Sequence, residues 1–223
     1  MDWSDIVLQI FAGVIVADIV SGVVHWFEDT YGDPDWPIIG ESVIEPNIIH
    51  HSDPMKFTRA PFWKRNRAVA PIFALALLGV VLAGAFNAFT VSMLIAGALA
   101  SECHRWAHLP KERVPRIVRA LQHVGVLQST AHHWSHHRHG FNTHYCTVTN
   151  VTNPFLDGLR VFRLIEGALE GAFGLKPRYD REAYSHPMLG RRWIDRARRV
   201  TCAFAYQIRR RMNAASPFLA AVG

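Results

Sequence analysis

The residues from 132 to 137 read His-His-Trp-Ser-His-His, which places four imidazoles in six positions. In a helix, His132 and His136 lie four residues apart, as do His133 and His137, so all four side chains can share one broad face. An imidazole with an unperturbed pKa of about 6.5 is mostly uncharged at neutral pH and offers a lone pair to a metal ion. The cluster therefore predicts a metal site, with a solvated histidine-rich patch as the alternative.

Further histidines recur upstream of this cluster. His104 and His108 again lie four residues apart, His50 and His51 are adjacent, and His25 follows an apolar run. The chain holds 13 histidines but only 3 cysteines, whereas structural zinc sites favour cysteine and close with four ligands. The nine histidines of these motifs exceed what one four-coordinate ion can bind, so the sequence predicts two metal ions.

Apolar blocks predict the helices that must position these histidines. The first block, from about Ile6 to Val24, is long enough to cross a bilayer, which takes about 20 residues, and it lacks the features of a cleaved signal peptide. The second, from about Ala68 to Cys103, breaks at 84–87 and predicts a hairpin of two helices, 68–86 and 88–103. We expect an all-α integral membrane protein with three to four membrane-embedded helices.

Two later stretches are weaker candidates for membrane helices. Residues 117–130 contain polar side chains and predict a partly embedded or interfacial helix. Residues 155–173 are amphipathic and predict a packing helix, with a position on the membrane surface as the alternative.

Basic residues orient these helices. They follow the first helix at Lys56, Arg59, Lys64, Arg65 and Arg67, and the positive-inside rule places such residues in the cytoplasm. The hairpin then returns the chain to the same face. The histidines that we expect to meet at a shared di-metal site on that cytoplasmic face are His25, His50, His51, His104 and His108, with the 132–137 cluster beside them.

Composition supports this organisation. Hydrophobic residues make up 50% of the chain and charged residues 19%, a balance that favours a membrane protein with a polar face. We expect a membrane-embedded domain over 1–180 and a basic tail over 181–223 that lies against anionic lipid headgroups; nucleic-acid phosphates or a solvated helix are the alternatives. No nucleic-acid-binding motif accompanies the tail. Cys103, Cys146 and Cys202 are expected to be free thiols in a reducing compartment.

Histidine-bound iron on one face of membrane helices suits a demanding oxidation, in which O₂ is activated and hydrogen is taken from an unactivated C–H bond. The spacings His104-x₃-His108 and His133-x₂-His136-His137 follow the general pattern of membrane desaturases and hydroxylases, in an unusual order. The two reactions share the hydrogen abstraction, so the sequence leaves both open. A membrane metal-binding or transport protein is the non-enzyme alternative, although a transporter should place its ligands near the bilayer midplane.

An ordered set of further motifs surrounds these histidines over roughly residues 14 to 180. The motifs are Asp18-x₂-Ser21-Gly22-x₂-His25-Trp26-x₂-Asp29-Thr30-Tyr31-Gly32, Pro37-Ile38-Ile39-Gly40, Glu45-Pro46, His50-His51-x-Asp53-Pro54, His104-Arg105-Trp106-Ala107-His108, His132-His133-x₂-His136-His137, Tyr145-Cys146-x₂-Thr149 and Asn153-Pro154. This set resembles the Kua/CarF-like lipid desaturases, a family that includes plasmanylethanolamine desaturase and a plant plastid palmitate desaturase that acts on phosphatidylglycerol. The basic tail is not part of the resemblance.

The resemblance implies a di-iron, O₂-dependent enzyme that inserts a double bond into a membrane lipid, with electrons from a small redox protein of the cytochrome b5 or ferredoxin kind. The iron ligands that it implies are His25, His50, His51, His104, His108, His132, His133, His136 and His137. Residues that could orient these imidazoles, with caps or buried hydrogen bonds as the alternatives, are Asp18, Asp29 and Asp53. Asn153 could hold a water or ligate iron, with a turn before Pro154 as the alternative.

The substrate expected from the resemblance is an ether lipid, which would gain the vinyl-ether double bond of plasmalogens. The acyl chain of a phospholipid such as phosphatidylglycerol and the hydroxylation of a lipid are the alternatives. Basic side chains could hold the lipid phosphate, with the ordinary positive charge of a cytoplasmic face as the alternative. The candidates are Lys56, Arg59, Lys64, Arg65 and Arg138. We expect the enzyme to be integral to a membrane, such as a bacterial inner membrane, with its catalytic face in the cytoplasm.

Overall fold

A computed structural model of the protein describes residues 2–138 and 140–178, and within these ranges every regular element is a helix. The prediction of an all-α fold is confirmed for this part of the chain. The basic tail, with its arginines, His186 and Cys202, lies outside the described residues, as does His139.

The described residues form ten α-helices. They are α1 (Trp3–Thr30), α2 (Glu45–Ser52), α3 (Pro54–Arg59), α4 (Phe62–Arg65), α5 (Val69–Leu82), α6 (Ala88–His108), α7 (Arg116–His123), α8 (Thr130–Arg138), α9 (Thr152–Gly158) and α10 (Val161–Phe173). A π-helical turn, Gly40–Ile44, leads into α2, and a 3₁₀ turn, Lys111–Arg113, precedes α7.

The first helix is longer than its apolar block. Helix α1 continues about a turn and a half beyond Val24 and ends where the backbone N–H groups of Tyr31 and Gly32 both donate to the carbonyl of Phe27, at 3.0 and 3.1 Å. The extension puts His25 and Asp29 on the same helix as the membrane-length segment. Its 18-residue core has a mean hydropathy of 2.3, and in the described part of the chain α1 is the one helix long and apolar enough to cross a membrane.

Helices α5 and α6 form the predicted hairpin. Asn87 caps α6, because its side chain accepts from the backbone N–H of Thr90 at 3.0 Å and the Thr90 hydroxyl accepts from the backbone N–H of Asn87 at 3.1 Å. The predicted end at Cys103 was too early, since α6 continues to His108. The helix therefore carries His104 and His108 in its own last turns.

Helix α1 packs closely against α6. A side chain at Gly13 would overlap Ser92 and the carbonyl of Phe89, and the Ser92 hydroxyl donates to the carbonyl of Ile10 at 3.2 Å. Small residues let two helix backbones approach in this way. The core between the two helices consists of Ala17, Ala96, Ala100, Cys103 and Val148.

Two of the later sequence predictions need correction. The stretch 117–130 forms only the eight-residue helix α7, which gives way to a turn at Gly125, where φ is +79°. The stretch 155–173 is not one helix, because Arg160 adopts a left-handed conformation with φ of +55° and separates α9 from α10. Between α8 and α9, residues 143–150 have no regular secondary structure and pack against α1. We call them the 143–150 segment.

Candidate metal centre

Four helices deliver histidines to one buried centre, and their donor atoms fall into two groups. One, the four-histidine group, consists of His50, His104, His108 and His133. The other, the Asp29 group, consists of His25, Asp29, His51 and His136. Within each group the donor atoms all lie within 4.8 Å of one another. Helices α1, α2, α6 and α8 each contribute, so the centre forms only when all four are packed together.

In the four-histidine group the Nε2 atoms face one another at short distances. The Nε2 of His50 lies 3.0 Å from that of His104 and 3.1 Å from that of His108, and the Nε2 atoms of His108 and His133 are 2.8 Å apart. Two lone pairs at this distance repel each other unless a proton or a cation lies between them. With metal–nitrogen bonds of about 2.1 Å, neighbouring ligands lie about 3.0–3.4 Å apart, so the spacing fits a coordination sphere.

In the Asp29 group a carboxylate lies among three imidazoles. Its Oδ2 is 3.4 Å from His25 Nε2 and 3.3 Å from His136 Nε2, and its Oδ1 is 3.5 Å from His51 Nε2. Asn47 donates its side-chain N–H to Oδ1 at 2.6 Å and fixes the carboxylate. The buried negative charge would offset part of the charge of a bound cation.

Backbone carbonyls set the orientation of two of these imidazoles. His25 Nδ1 donates to the carbonyl of Tyr145 at 3.0 Å, and His136 Nδ1 donates to the carbonyl of Thr143 at 2.7 Å. A carbonyl oxygen can only accept, so Nδ1 carries the proton and Nε2 presents its lone pair to the group. Metal-binding histidines are commonly oriented by this arrangement.

Burial keeps the imidazoles of His50, His51 and His133 uncharged at neutral pH. It lowers the pKa of His51 to about 3, against the opposing effect of Asp29. Burial, followed by the neighbouring histidines, holds the pKa of His50 and of His133 well below the usual range. These three residues therefore present neutral nitrogen donors, the form that binds metal.

The remaining two predicted ligands differ from each other. His137 lies beside both groups: its Nε2 is 3.3 Å from that of His133, and its ring centroid is 5.4 Å from that of His51. His132 lies apart, with its Nε2 3.1 Å from the side-chain nitrogen of Asn153 and its ring 5.0 Å from that of His144. The structure thus brings eight of the nine predicted histidines together, and their role as iron ligands stays a prediction.

The four polar residues named beside the histidines have separate environments. Asp29 lies inside the centre, whereas Asp53 caps α3 by accepting from the backbone N–H of Lys56 at 3.1 Å. Asp18 is fully buried, and its carboxylate accepts hydrogen bonds from Ser21 and from the 143–150 segment. Asn153 binds the backbone of Cys146 through both of its side-chain atoms, at 2.8 and 2.9 Å.

The sequence did not predict a hydrogen-bonded network that packs beside the centre and joins α1, α10 and Tyr145. The indole N–H of Trp26 donates to Glu166 at 2.7 Å, and Arg163 bridges Glu166, at 2.6 Å, and the Tyr145 hydroxyl, at 3.1 Å. Trp26 and Tyr145 belong to motifs that the sequence displayed, but Glu166 carried no signal beyond the amphipathic pattern of its helix. Arg65 is one of the candidates for holding the lipid phosphate, and its guanidinium binds Glu102 and the carbonyl of Ala60.

Comparison with known proteins places this centre in a family. The model of the lipid desaturase domain matches residues 14–180, which hold all of the histidines described above. The chain belongs to the lipid desaturase domain family. The resemblance seen in the motifs is thereby confirmed, and no solved structure matches the chain.

Relatives in this family carry two kinds of name. The chain is 36% identical over 171 residues to fatty acid desaturase 4 of Arabidopsis thaliana chloroplasts, covering 75% of this chain and 53% of that protein. It is 32% identical over 187 residues to plasmanylethanolamine desaturase 1 of Mus musculus, covering 78% and 69%, and 31% identical over 180 residues to plasmanylethanolamine desaturase of Myxococcus xanthus, covering 77% and 63%. The match spans between 53% and 64% of the plant relatives.

Proposed function

We propose that the protein is an O₂-dependent lipid desaturase that holds two non-haem iron ions. The observation that carries this proposal is the pair of buried four-donor groups, which lie side by side at the end of the longest apolar helix. Family membership supports the reaction class, since both kinds of relative are named as desaturases.

The donor set fits two iron ions. Seven imidazoles and one carboxylate make up the two groups, and His137 lies beside both. Imidazole and carboxylate ligands suit non-haem iron, whereas the described cysteines, Cys103 and Cys146, are buried elsewhere. When bound, iron supplies the O₂ activation that breaking an unactivated C–H bond requires.

The chain itself orients the donors and excludes water. The ring of Phe141 stacks on His51 with centroids 4.2 Å apart, and Phe57 lies 4.9 Å from His50 and 4.8 Å from His104. These aromatic rings cover the imidazoles and keep solvent away from a site where reactive species would be quenched by water.

The apolar surface supports a position in a membrane. Large side chains on α1 and α5 are exposed, among them Leu8 at 66%, Phe11 at 56% and Leu75 at 71%. Apolar surface of this extent is typical of contact with lipid. The centre then lies at the end of α1, where the headgroups begin, and we propose that this face is cytoplasmic and that a small redox protein of the cytochrome b5 or ferredoxin kind supplies electrons there.

A site at this depth suits a substrate whose reacting carbons lie near the headgroup. We propose an ether phospholipid, which would gain a vinyl-ether double bond, because two of the relatives are named for that substrate class. The acyl chain of a phospholipid is the second candidate, and the chloroplast relatives favour it.

Lipid mass spectrometry tests the proposal. The full chain is expressed in cells that contain alkyl-ether phospholipids but no plasmalogens, alongside His51→Ala and, as a matched control, His123→Ala, which changes a histidine of α7 outside the centre. We expect a lipid lighter by two hydrogens with the parent chain and His123→Ala, and none with His51→Ala. A product that gains oxygen would indicate a hydroxylase, and product formation by His51→Ala would contradict the proposal.

A further inference from the structure

The two donor groups are anchored differently. Both carbonyls that orient imidazoles come from the 143–150 segment, and both act on the Asp29 group, through His25 and His136. In the four-histidine group, the Nδ1 atoms of His50, His108 and His133 are buried and have no hydrogen-bond partner among the described residues. The segment therefore acts on one group and not on the other.

Helix α1 holds the 143–150 segment through a buried carboxylate. Oδ1 of Asp18 accepts from the backbone N–H of Val148 at 2.7 Å, and Oδ2 accepts from the backbone N–H and the hydroxyl of Thr149, at 3.2 and 2.6 Å. The Ser21 hydroxyl accepts from the backbone N–H of Thr147 at 3.1 Å. Three donors of the segment thus converge on one buried carboxylate, and this contact fixes the segment along α1.

A second set of contacts fixes the segment from the other side. Asn153 accepts from the backbone N–H of Cys146 at 2.8 Å and donates to its carbonyl at 2.9 Å, and Gln128 donates to the same carbonyl at 2.6 Å. Gly22 makes room for this approach, because a Cβ there would lie 2.5 Å from the Cys146 sulfur. Yet no described hydrogen bond of Asp18 or Asn153 goes to an imidazole of either group.

We propose that Asp18 is a positioning residue, which acts through the 143–150 segment to set the metal affinity of the Asp29 group alone. The inference rests on the two-metal centre of the proposed function. It makes the two metal positions inequivalent: one has a carboxylate and two imidazoles anchored by backbone carbonyls, and the other has imidazoles only. Loosening the segment weakens the first position and leaves the second intact.

Titration of the metal-free full chain with Co²⁺ tests this, because the visible spectrum of Co²⁺ reports its ligands. Asp18→Asn keeps the shape of the side chain but turns an N–H toward groups that are themselves donors. Thr149→Val removes the hydroxyl that donates a hydrogen bond to Asp18, whereas Thr149→Ser retains that hydroxyl. We expect one of two Co²⁺ equivalents to bind about 10–100-fold more weakly in Asp18→Asn and Thr149→Val, the range for residues that orient ligands. Thr149→Ser should titrate like the parent chain.

Two further variants identify the position that is lost. His104→Ala removes a ligand of the four-histidine group. When it is combined with Asp18→Asn, no Co²⁺ equivalent should bind with the affinity seen in the parent chain. Combined with His51→Ala, Asp18→Asn should add nothing to the effect of His51→Ala. Thr90→Val, which removes a buried hydroxyl at the far end of α6, is the control for loss of stability alone and should retain both equivalents.

The outcomes separate this inference from the proposed function. Equal weakening of both equivalents, or no weakening of either, in Asp18→Asn and Thr149→Val would overturn the role of the segment while leaving the two-metal centre in place. A parent chain that binds fewer than two equivalents would overturn the proposed centre and the inference with it.

Discussion

The hydrogen bond between Trp26 and Glu166 should contribute measurably to stability. The indole N–H donates to Glu166 Oε1 at 2.7 Å, and both side chains are buried, at 6% and 4% exposure. This contact joins α1 to α10 directly behind Tyr145, whose carbonyl orients His25. We predict that Trp26→Phe, which retains an aromatic ring but removes the donor, destabilises the protein.

The expected loss of stability follows from the hydrogen bond that Trp26→Phe removes. A hydrogen bond to a charged group contributes about 1.5–3 kcal/mol, and Glu166 keeps its ion pair with Arg163 when the indole is removed. At about 2–4 °C per kcal/mol for a protein of this size, Trp26→Phe should lower the melting temperature by about 3–12 °C. Because both substitutions remove the same bond, the effects of Trp26→Phe and Glu166→Leu should be less than additive, with a coupling of about 1.5–3 kcal/mol.

Thermal unfolding in detergent, followed by far-ultraviolet circular dichroism, measures these shifts without relying on tryptophan fluorescence. Trp63→Phe is the matched control, because Trp63 is 80% exposed and the same substitution there should leave the melting temperature within about 1 °C. Strictly additive effects of the two substitutions would refute the reasoning, since they would mean that the indole and the carboxylate do not interact.

Three further predictions concern the centre and the segment beside it. Removal of metal by a chelator should lower the melting temperature, since an ion present at 1,000 times its Kd stabilises the fold by about 4 kcal/mol; an unchanged melting curve would mean that the fold does not hold the ions. His132→Ala should retain two irons per chain by elemental analysis whereas His133→Ala should lose iron, and equal losses would show that His132 reaches the metal. Gly22→Ala should destabilise the protein by about 1–3 kcal/mol through overlap with the Cys146 sulfur, and Cys146→Ala should relieve part of that loss in a double-variant melting experiment; wild-type melting of Gly22→Ala would contradict the close packing.

The histidine spacing predicted much of the centre. On α8, His133, His136 and His137 are spaced at i, i+3 and i+4 and therefore occupy one face, as the sequence indicated. The same rule also admitted His132, which lies four residues before His136. Spacing alone does not say how a helix is rotated against its neighbours, and here the rotation turns His132 toward Asn153.

The anchoring of the centre could not be predicted in the same way. The carbonyls of Thr143 and Tyr145 belong to the backbone, and every residue carries one, so no side-chain pattern marks them. The length of α1 was underestimated for a related reason. Its apolar run stops near Val24, but the helix continues because the polar side chains that follow, including His25 and Asp29, are buried against the other helices.

One face of α1 explains why several of the motif residues occur together. Asp18, Gly22, His25 and Asp29 follow one another at spacings of four, three and four residues, which places all four on a single stripe of the helix. Asp18 and Gly22 contact the 143–150 segment: Asp18 accepts hydrogen bonds from it, and Gly22 leaves room for it because it has no side chain. His25 and Asp29 belong to the metal centre. The segment also places the Tyr145 carbonyl next to His25, whose Nδ1 donates to it. This face of α1 therefore positions the His25 imidazole in two ways: the helix carries the residue, and the 143–150 segment that the helix binds orients its ring.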